Sequence, residues 1–235
     1  MNILDRLAFR AARAAARSRG NRRALHPAGV IVTGRLVVPG HETSWQVPWL
    51  DAPGSYPVTA RWSLAAGLPR PLPDALGLAL RVEDADGPGR CLELLLTSSG
   101  RGRWTRHLPF PRTSATRGPY TTLLPYEVGG NRGVVAAFPV PGTPRVPVDP
   151  AAVGAALTRR PAEFVLCVGK ASAWLPWGRL VLQKGAEPFR SGPDEVAFDP
   201  YAASLPGFRP VQRLESLRVA AYAGSREGRR AAPPA

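Results

Sequence analysis

A series of short apolar runs separated by glycine and proline constrains the fold of this chain more than any other feature. Five runs precede residue 100: GVIVTGRLVV (29–38), TSWQVPWL (43–50), PVTARWSLA (57–65), GLALRVED (77–84) and CLELLLT (91–97). Three more follow later: AEFVLCVGK (162–170), GRLVLQKG (178–185) and DEVAFD (194–199). Short runs of this kind between turn residues are typical of β-strands. We therefore predict a mainly β chain that forms an antiparallel barrel, with helices outside it.

The segment between these two groups is looser and rich in proline. It includes FPVPGTPRVPVDP (138–150). Proline cannot donate a ladder hydrogen bond, so we expect these prolines to lie outside the central part of any strand.

Both ends of the chain are predicted to be helical. Residues 1–22 form a basic amphipathic pattern whose apolar face is mostly alanine, which favours a solvated capping helix over a strong nucleic-acid-binding arm. Weak contact of this helix with an anionic membrane surface stays open. A closing helix is expected to begin at Pro210 and to end near Gly224. Residues 23–230 are then one domain, and 231–235 a disordered tail.

Composition and motif content narrow the classes of function. The chain has 31 basic and 17 acidic residues, a net charge of +14, which favours anionic partners. Cys91 and Cys167 lie far apart in apolar runs and are predicted to be inert buried thiols, and His26, His41 and His107 lack metal-ligand spacing. We find no nucleotide-binding loop, nucleophile elbow or apolar run long enough to span a bilayer, so we expect a cytoplasmic protein that is not a typical hydrolase.

The segment RVAAYAGSREGRR (218–230) places Arg218 four residues before Tyr222, on the same face of the predicted helix. A tyrosine is a poor metal ligand at neutral pH unless its phenolate is stabilised, and a neighbouring arginine can provide that stabilisation. From these residues alone, an ordinary core tyrosine remains the alternative.

Five stretches occur here in the order found in the haem catalases, which the chain resembles over residues 23–230. They are RALHPAG (23–29), ARWS (60–63), DALGLALRV (74–82), FDP (198–200) and RVAAY (218–222). The resemblance implies an α+β, mainly β fold: an antiparallel eight-stranded catalase-like barrel with flanking helices and a C-terminal proximal helix.

The resemblance also implies a cofactor and its ligands. Haem b would be bound through Tyr222 as the iron ligand, which is the known arrangement in catalases, with Arg218 stabilising the phenolate. Arg23, Arg61 and Arg229 would bind the haem propionates, because guanidinium groups pair well with carboxylates.

The resemblance places the catalytic residues on the opposite side of the haem from Tyr222. His26 would move a proton between the two peroxide oxygens. Near the end of the fourth strand, where the family has an asparagine, this chain has Thr97 and Ser98, so we assign a hydroxyl group to that position.

These expectations lead to two hypotheses about function. The first is a haem-dependent oxidoreductase of the catalase or peroxidase kind that acts on hydrogen peroxide or organic hydroperoxides. The alternative is a non-enzymatic haem-binding protein, or a haem-less catalase fold, that binds an anionic partner. The missing asparagine favours the alternative, whereas the joint presence of Arg23, His26, Arg61, Arg218 and Tyr222 favours the enzyme. A homo-oligomer is compatible with both.

Overall fold

A closed antiparallel barrel of eight strands forms the centre of the protein. The computed structural model describes residues 29–40, 44–64, 74–184 and 198–211. The barrel strands are β1 (Gly29–Val38), β2 (Gly54–Leu64), β3 (Leu76–Val82), β4 (Leu92–Ser98), β5 (Tyr120–Thr121), β8 (Val135–Pro139), β9 (Ala162–Lys170) and β10 (Ala173–Gln183). Their order around the barrel is β1-β10-β9-β8-β5-β4-β3-β2. The predicted mainly β, eight-stranded antiparallel barrel is therefore confirmed.

Alternation of side chains gives each strand of the barrel an inner and an outer face. In β1 to β4 the even-numbered residues point inward and are mostly buried, because successive side chains point to opposite faces of a strand. The strand predictions at 29–38, 57–65, 77–84 and 91–97 were based on short apolar runs between turn residues, and strands occupy all four places.

The inside of the barrel is filled by side chains around an aromatic centre. Trp62, Tyr120 and Phe164 contact one another edge to face or tilted, with ring centroids 5.8–6.4 Å apart. Trp62 Nε1 donates a hydrogen bond of 2.9 Å to the Tyr120 hydroxyl, which in turn donates to the Ala115 carbonyl at 2.6 Å. Burial raises the pKa of Tyr120 far above its usual value. This packed interior directs the search for a ligand site to the outer face.

The sequence prediction of a strand at 43–50 is wrong. Helix α1 (Pro48–Asp51) begins in this segment, with Pro48 in its first turn, where a missing N–H does no harm. Trp49 and Leu50 are both buried, although a strand would send neighbouring side chains to opposite faces. Trp49 packs against Trp177 and Phe208, with centroid distances of 5.9 and 5.8 Å.

A second helix, α2 (Pro150–Arg159), covers one end of the barrel. The Asp149 carboxylate caps it by accepting a hydrogen bond of 3.0 Å from Ala152 N, and Pro150 lies in the first turn. Val153 and Leu157 are buried, and the Leu157 carbonyl accepts from Lys184 N just after β10. Sequence reasoning missed this helix, although an aspartate followed by proline is a typical start signal.

Three short strands form a separate sheet, in the order β11-β6-β7: β6 (Tyr126–Val128), β7 (Asn131–Gly133) and β11 (Phe208–Pro210). Pro210 is paired with Tyr126, so the prediction that a helix begins at Pro210 is wrong. The residues predicted to form the rest of the closing helix, the basic segment 1–22, the tail 231–235 and most of the run 194–199 lie outside the described residues. Within the described ranges, no helix is long and apolar enough to cross a bilayer.

Candidate ligand-binding face of the barrel

Two adjacent cross-strand rows on the outer face of the barrel bring together two of the predicted site residues, Arg61 and Thr97. Paired residues of neighbouring strands point to the same face of a sheet. The first row comprises Gly29, Ser63, Gly77, Thr97 and Thr121, and the second comprises Ile31, Arg61, Ala79 and Leu95. The first row contains only glycine, serine and threonine. It therefore forms a low, polar strip beside Arg61.

Arg61 is the charged residue of these two rows, and it is only 3% exposed. Its guanidinium lies against Gly29 of β1: a Cβ atom added at Gly29 would be 2.8 Å from Arg61 Cζ and also 2.8 Å from the Trp62 carbonyl oxygen. Glycine is therefore required at position 29 for the arginine to keep this position. A guanidinium shielded from water is well suited to bind a carboxylate, because charge-assisted bonds strengthen as water is excluded.

Ser63 shares the outer face with Arg61, and sequence reasoning did not assign it to the site. Its side chain is buried, and its hydroxyl donates to the Gly77 carbonyl at 3.4 Å. The available signal was its position two residues after Arg61 in a strand, which puts both side chains on one face.

The structure separates the two hydroxyl residues that the sequence assigned to the distal site. Ser98 points into the barrel, where its hydroxyl accepts from Leu76 N at 2.9 Å and donates to the Phe110 carbonyl at 2.7 Å. Thr97 is half-buried on the outer face, and in the described part of the chain its hydroxyl makes no hydrogen bond. Of the two predicted residues, Thr97 is therefore the one whose hydroxyl shares a face with Arg61.

An ion pair on the same outer face holds the segment 198–203 against the barrel. Glu93 is buried and pairs with Arg81, with an N–O distance of 2.5 Å. Asp199 N donates to the Glu93 carboxylate, and Glu93 N donates to the Ala203 carbonyl at 2.9 Å. The Arg81 guanidinium also lies 5.5 Å from the ring centroid of Phe198. These contacts fix the FDP stretch on β3 and β4, and sequence reasoning did not predict them.

Five predicted site residues lie outside the described residues: Arg23, His26, Arg218, Tyr222 and Arg229. Their roles stay predictions. Over the ranges that the structure describes, no group of three or more histidine, cysteine, aspartate or glutamate side chains could hold a metal ion.

The two cysteines are poorly placed for thiolate chemistry. Burial raises the pKa of Cys167 to about 11. Burial also raises the pKa of Cys91, and the hydrogen bond of its thiol to the Glu83 carboxylate (3.1 Å) adds to the effect. Both thiols are therefore protonated at neutral pH.

Comparison with known proteins connects this barrel with the catalases. No protein-family model matches the chain, and a search of curated proteins found no match. Among solved structures, the chain is similar to a bacterial catalase (12% identity, TM-score 0.65), to catalase A from Saccharomyces cerevisiae (11%, 0.63) and to a fungal catalase (10%, 0.64).

These similarities cover 88% of this chain but only 57%, 60% and 59% of the three catalases. The chain thus spans about three fifths of the length of those proteins. At identities this low, the likeness shows the fold alone. The described domain has a catalase-like barrel.

Proposed function

We propose that this protein is a catalase-related haem protein that acts on hydrogen peroxide or organic hydroperoxides. The observation that carries the proposal is the buried guanidinium of Arg61 on the outer face of a catalase-like barrel, beside the strip of glycine, serine and threonine. The sequence resemblance assigns Arg61 independently to a haem propionate.

The described residues of this face fit a flat group that carries carboxylates. Ser63 and Gly77 have small side chains, so a planar ring can approach the barrel wall beside them, whereas the Arg61 guanidinium lies against Gly29. Arg61 lies in the neighbouring row and can bind a carboxylate at the edge of such a ring. In this proposal Arg23 and Arg229 bind propionates as well, Tyr222 is the iron ligand, and Arg218 favours its phenolate.

When bound, haem would supply the redox-active iron needed to cleave a peroxide O–O bond. His26 takes a proton from one peroxide oxygen and returns it to the leaving oxygen, work that suits the ordinary pKa of imidazole. Thr97 orients the peroxide through its hydroxyl. A threonine offers one donor where an asparagine amide offers two, so hydrogen peroxide is held less well than in the family pattern.

The presence of Thr97 where the family pattern has asparagine also favours a second candidate function. A barrel without the asparagine amide can bind haem without turning over peroxide, or can use Arg61 to bind a different carboxylate. The two candidates differ in what His26 does. In an enzyme it moves protons, whereas in a binding protein its replacement has no kinetic effect.

Titration of the metal-free protein with hemin tests the cofactor. We expect a saturable Soret change near one equivalent in the wild-type protein, and a changed spectrum in Tyr222→Phe, because loss of the phenolate changes the axial ligand. Tyr56→Phe is the matched control, since this partly exposed tyrosine packs against Trp49, away from the outer face. An unsaturable titration, or identical spectra for all three proteins, excludes haem ligation by Tyr222.

A further inference from the structure

The loop that follows β4 carries a surface that the proposed function does not use. This loop, residues 99–110, is closed at its base by the pairing of Ser99 with Pro109 and by a hydrogen bond of 2.7 Å from Phe110 N to the Ser98 carbonyl. Inside it, Gly100 N donates to the Thr105 carbonyl at 3.0 Å. We call it the Trp104 loop.

Arg106 fixes the Trp104 loop to the barrel. Its side chain is buried, it donates hydrogen bonds to the carbonyl oxygens of Ala171 and Arg103, and its guanidinium lies 5.2 Å from the ring centroid of Trp174. The Arg106 carbonyl accepts from the Thr121 hydroxyl at 2.6 Å. The backbone of the loop is therefore held in place from both sides.

This ordered loop exposes large apolar side chains. Trp104 is 76% exposed, Leu108 54% and Phe110 43%. In the described part of the chain only one other large hydrophobic side chain is exposed, Val37 on β1, at 42%. Exposed apolar residues that cluster within seven positions mark an interaction surface, whereas an isolated one such as Val37 does not.

The sequence segment that contains the Trp104 loop carries charge of one sign. No aspartate or glutamate occurs between Glu93 and Glu127, whereas five arginines do: Arg101, Arg103, Arg106, Arg112 and Arg117. Arg101 and Arg103 are exposed on either side of Gly102, and the Arg103 guanidinium lies 5.2 Å from the ring centroid of Trp104. The surface therefore combines apolar side chains with exposed positive charge.

We infer that the Trp104 loop binds anionic lipid bilayers. Trp104, Leu108 and Phe110 enter the interfacial region of the bilayer, where tryptophan is favoured, and Arg101 and Arg103 bind lipid phosphates. A nucleic acid is a poorer fit, because base stacking needs aromatic ring faces. Arg103 covers one face of the Trp104 ring, and Leu108 offers no ring. This inference does not depend on haem or on peroxide turnover.

The test is co-sedimentation of the full chain with vesicles of phosphatidylcholine alone, and with an equal mixture of phosphatidylcholine and phosphatidylglycerol. We expect binding to the anionic vesicles that decreases with salt, and little binding to the neutral ones. Trp104→Ser should weaken the partition into anionic vesicles roughly tenfold. Arg101→Gln combined with Arg103→Gln should weaken it roughly thirtyfold.

Matched controls separate this loop from general charge and hydrophobicity. Val37→Ser removes an exposed apolar side chain from β1, and Arg35→Gln with Arg90→Gln removes the same charge from exposed positions elsewhere. Both controls should bind vesicles like the wild type. All substitutions are at exposed positions, so a melting temperature close to wild type is expected for each and is checked by circular dichroism.

Three results would overturn the inference. The first is unchanged vesicle binding in the Trp104 and arginine variants, including the case in which only Arg13→Gln with Arg17→Gln in the N-terminal segment abolishes it. The second is a wild-type protein that binds no anionic vesicles but forms a dimer that Trp104→Ser dissociates, which would make the loop a contact between copies of this chain. The third is binding to a single-stranded oligonucleotide, lost in the loop variants, without any binding to vesicles.

Discussion

Replacing Ser98 with alanine should destabilise the barrel and leave the outer face unchanged. The Ser98 hydroxyl is fully buried and connects two backbone groups, accepting from Leu76 N and donating to the Phe110 carbonyl. Alanine fits the same backbone but makes neither hydrogen bond. Leu76 N then loses this partner in a buried place, and the Phe110 carbonyl loses it in a partly buried one.

The size of the effect follows from those two bonds. A buried donor or acceptor that loses its partner costs roughly 1–3 kcal/mol, so the two together predict a loss of about 2–6 kcal/mol in the free energy of unfolding. For a chain of this size, each kcal/mol lowers the melting temperature by roughly 2–4 °C. We expect the melting temperature to decrease by about 4–24 °C, near the lower end if backbone groups find other partners.

Thr97→Val is the matched variant, because it removes a neighbouring hydroxyl that has no hydrogen bond in the described residues and keeps the shape of the side chain. Its melting temperature should stay within about 1 °C of the wild type. Under the proposed function, turnover of peroxide at equal haem loading should decrease in Thr97→Val and not in Ser98→Ala.

Thermal melts followed by circular dichroism, with urea unfolding, measure the stability of both variants, and oxygen release measures turnover. An unchanged melting temperature in Ser98→Ala would refute the reasoning about its two hydrogen bonds. A stable Ser98→Ala protein with selective loss of peroxide turnover would show that Ser98, and not Thr97, acts in the site.

Three further predictions concern other residues. Glu93→Gln weakens the pairing with Arg81 and the contact with residues 198–203. The free energy of unfolding in urea should decrease by roughly 1–3 kcal/mol, and cleavage by protease near 198–203 should accelerate. Unchanged cleavage would contradict this anchoring role. Because the folded pKa of Cys167 is about 11 against an ordinary 9.0, its contribution to stability is fully present below pH 9 and is lost as the pH rises from 9 towards 11. Cys167→Ala should flatten the stability curve over that interval, and equal slopes for the two proteins would refute the assignment. His26→Ala should retain haem but lose peroxide turnover by roughly two to four powers of ten, measured with hydrogen peroxide and with an organic hydroperoxide at equal haem loading; equal rates would show that His26 does not move protons.

Local sequence patterns were sufficient for most of the barrel strands. The runs at 29–38, 57–65, 77–84 and 91–97 are short, mostly apolar and bounded by turn residues, which are local signals of a strand. The same reasoning was wrong at 43–50, where Trp49 and Leu50 are both buried against distant residues such as Trp177 and Phe208. It also missed β5, which is only two residues long, and β8, which ends at Pro139 where the proline-rich stretch 138–150 begins.

The candidate site, too, could be predicted only in part from the sequence. Local motifs singled out Arg61 and drew attention to Thr97 and Ser98, but they could not choose between the two hydroxyls. That choice depends on the register of β3, β4 and β5, because a shift by one residue moves every side chain to the other face. The contact of Arg61 with Gly29 and the pairing of Glu93 with Arg81 likewise join residues that are far apart in the sequence or lie on different strands.

The sequence by itself determined the class of fold, because short apolar runs and turn residues are local properties that indicate most of the strands. It also determined the positive charge of the segment between Glu93 and Glu127. Only the tertiary structure decided that the inside of the barrel is filled by Trp62, Tyr120 and Phe164, and that Arg61 and Thr97 share the outer face. The physical reason is that closing a barrel brings together residues from strands far apart in the chain, and burial acts on those contacts rather than on sequence neighbours.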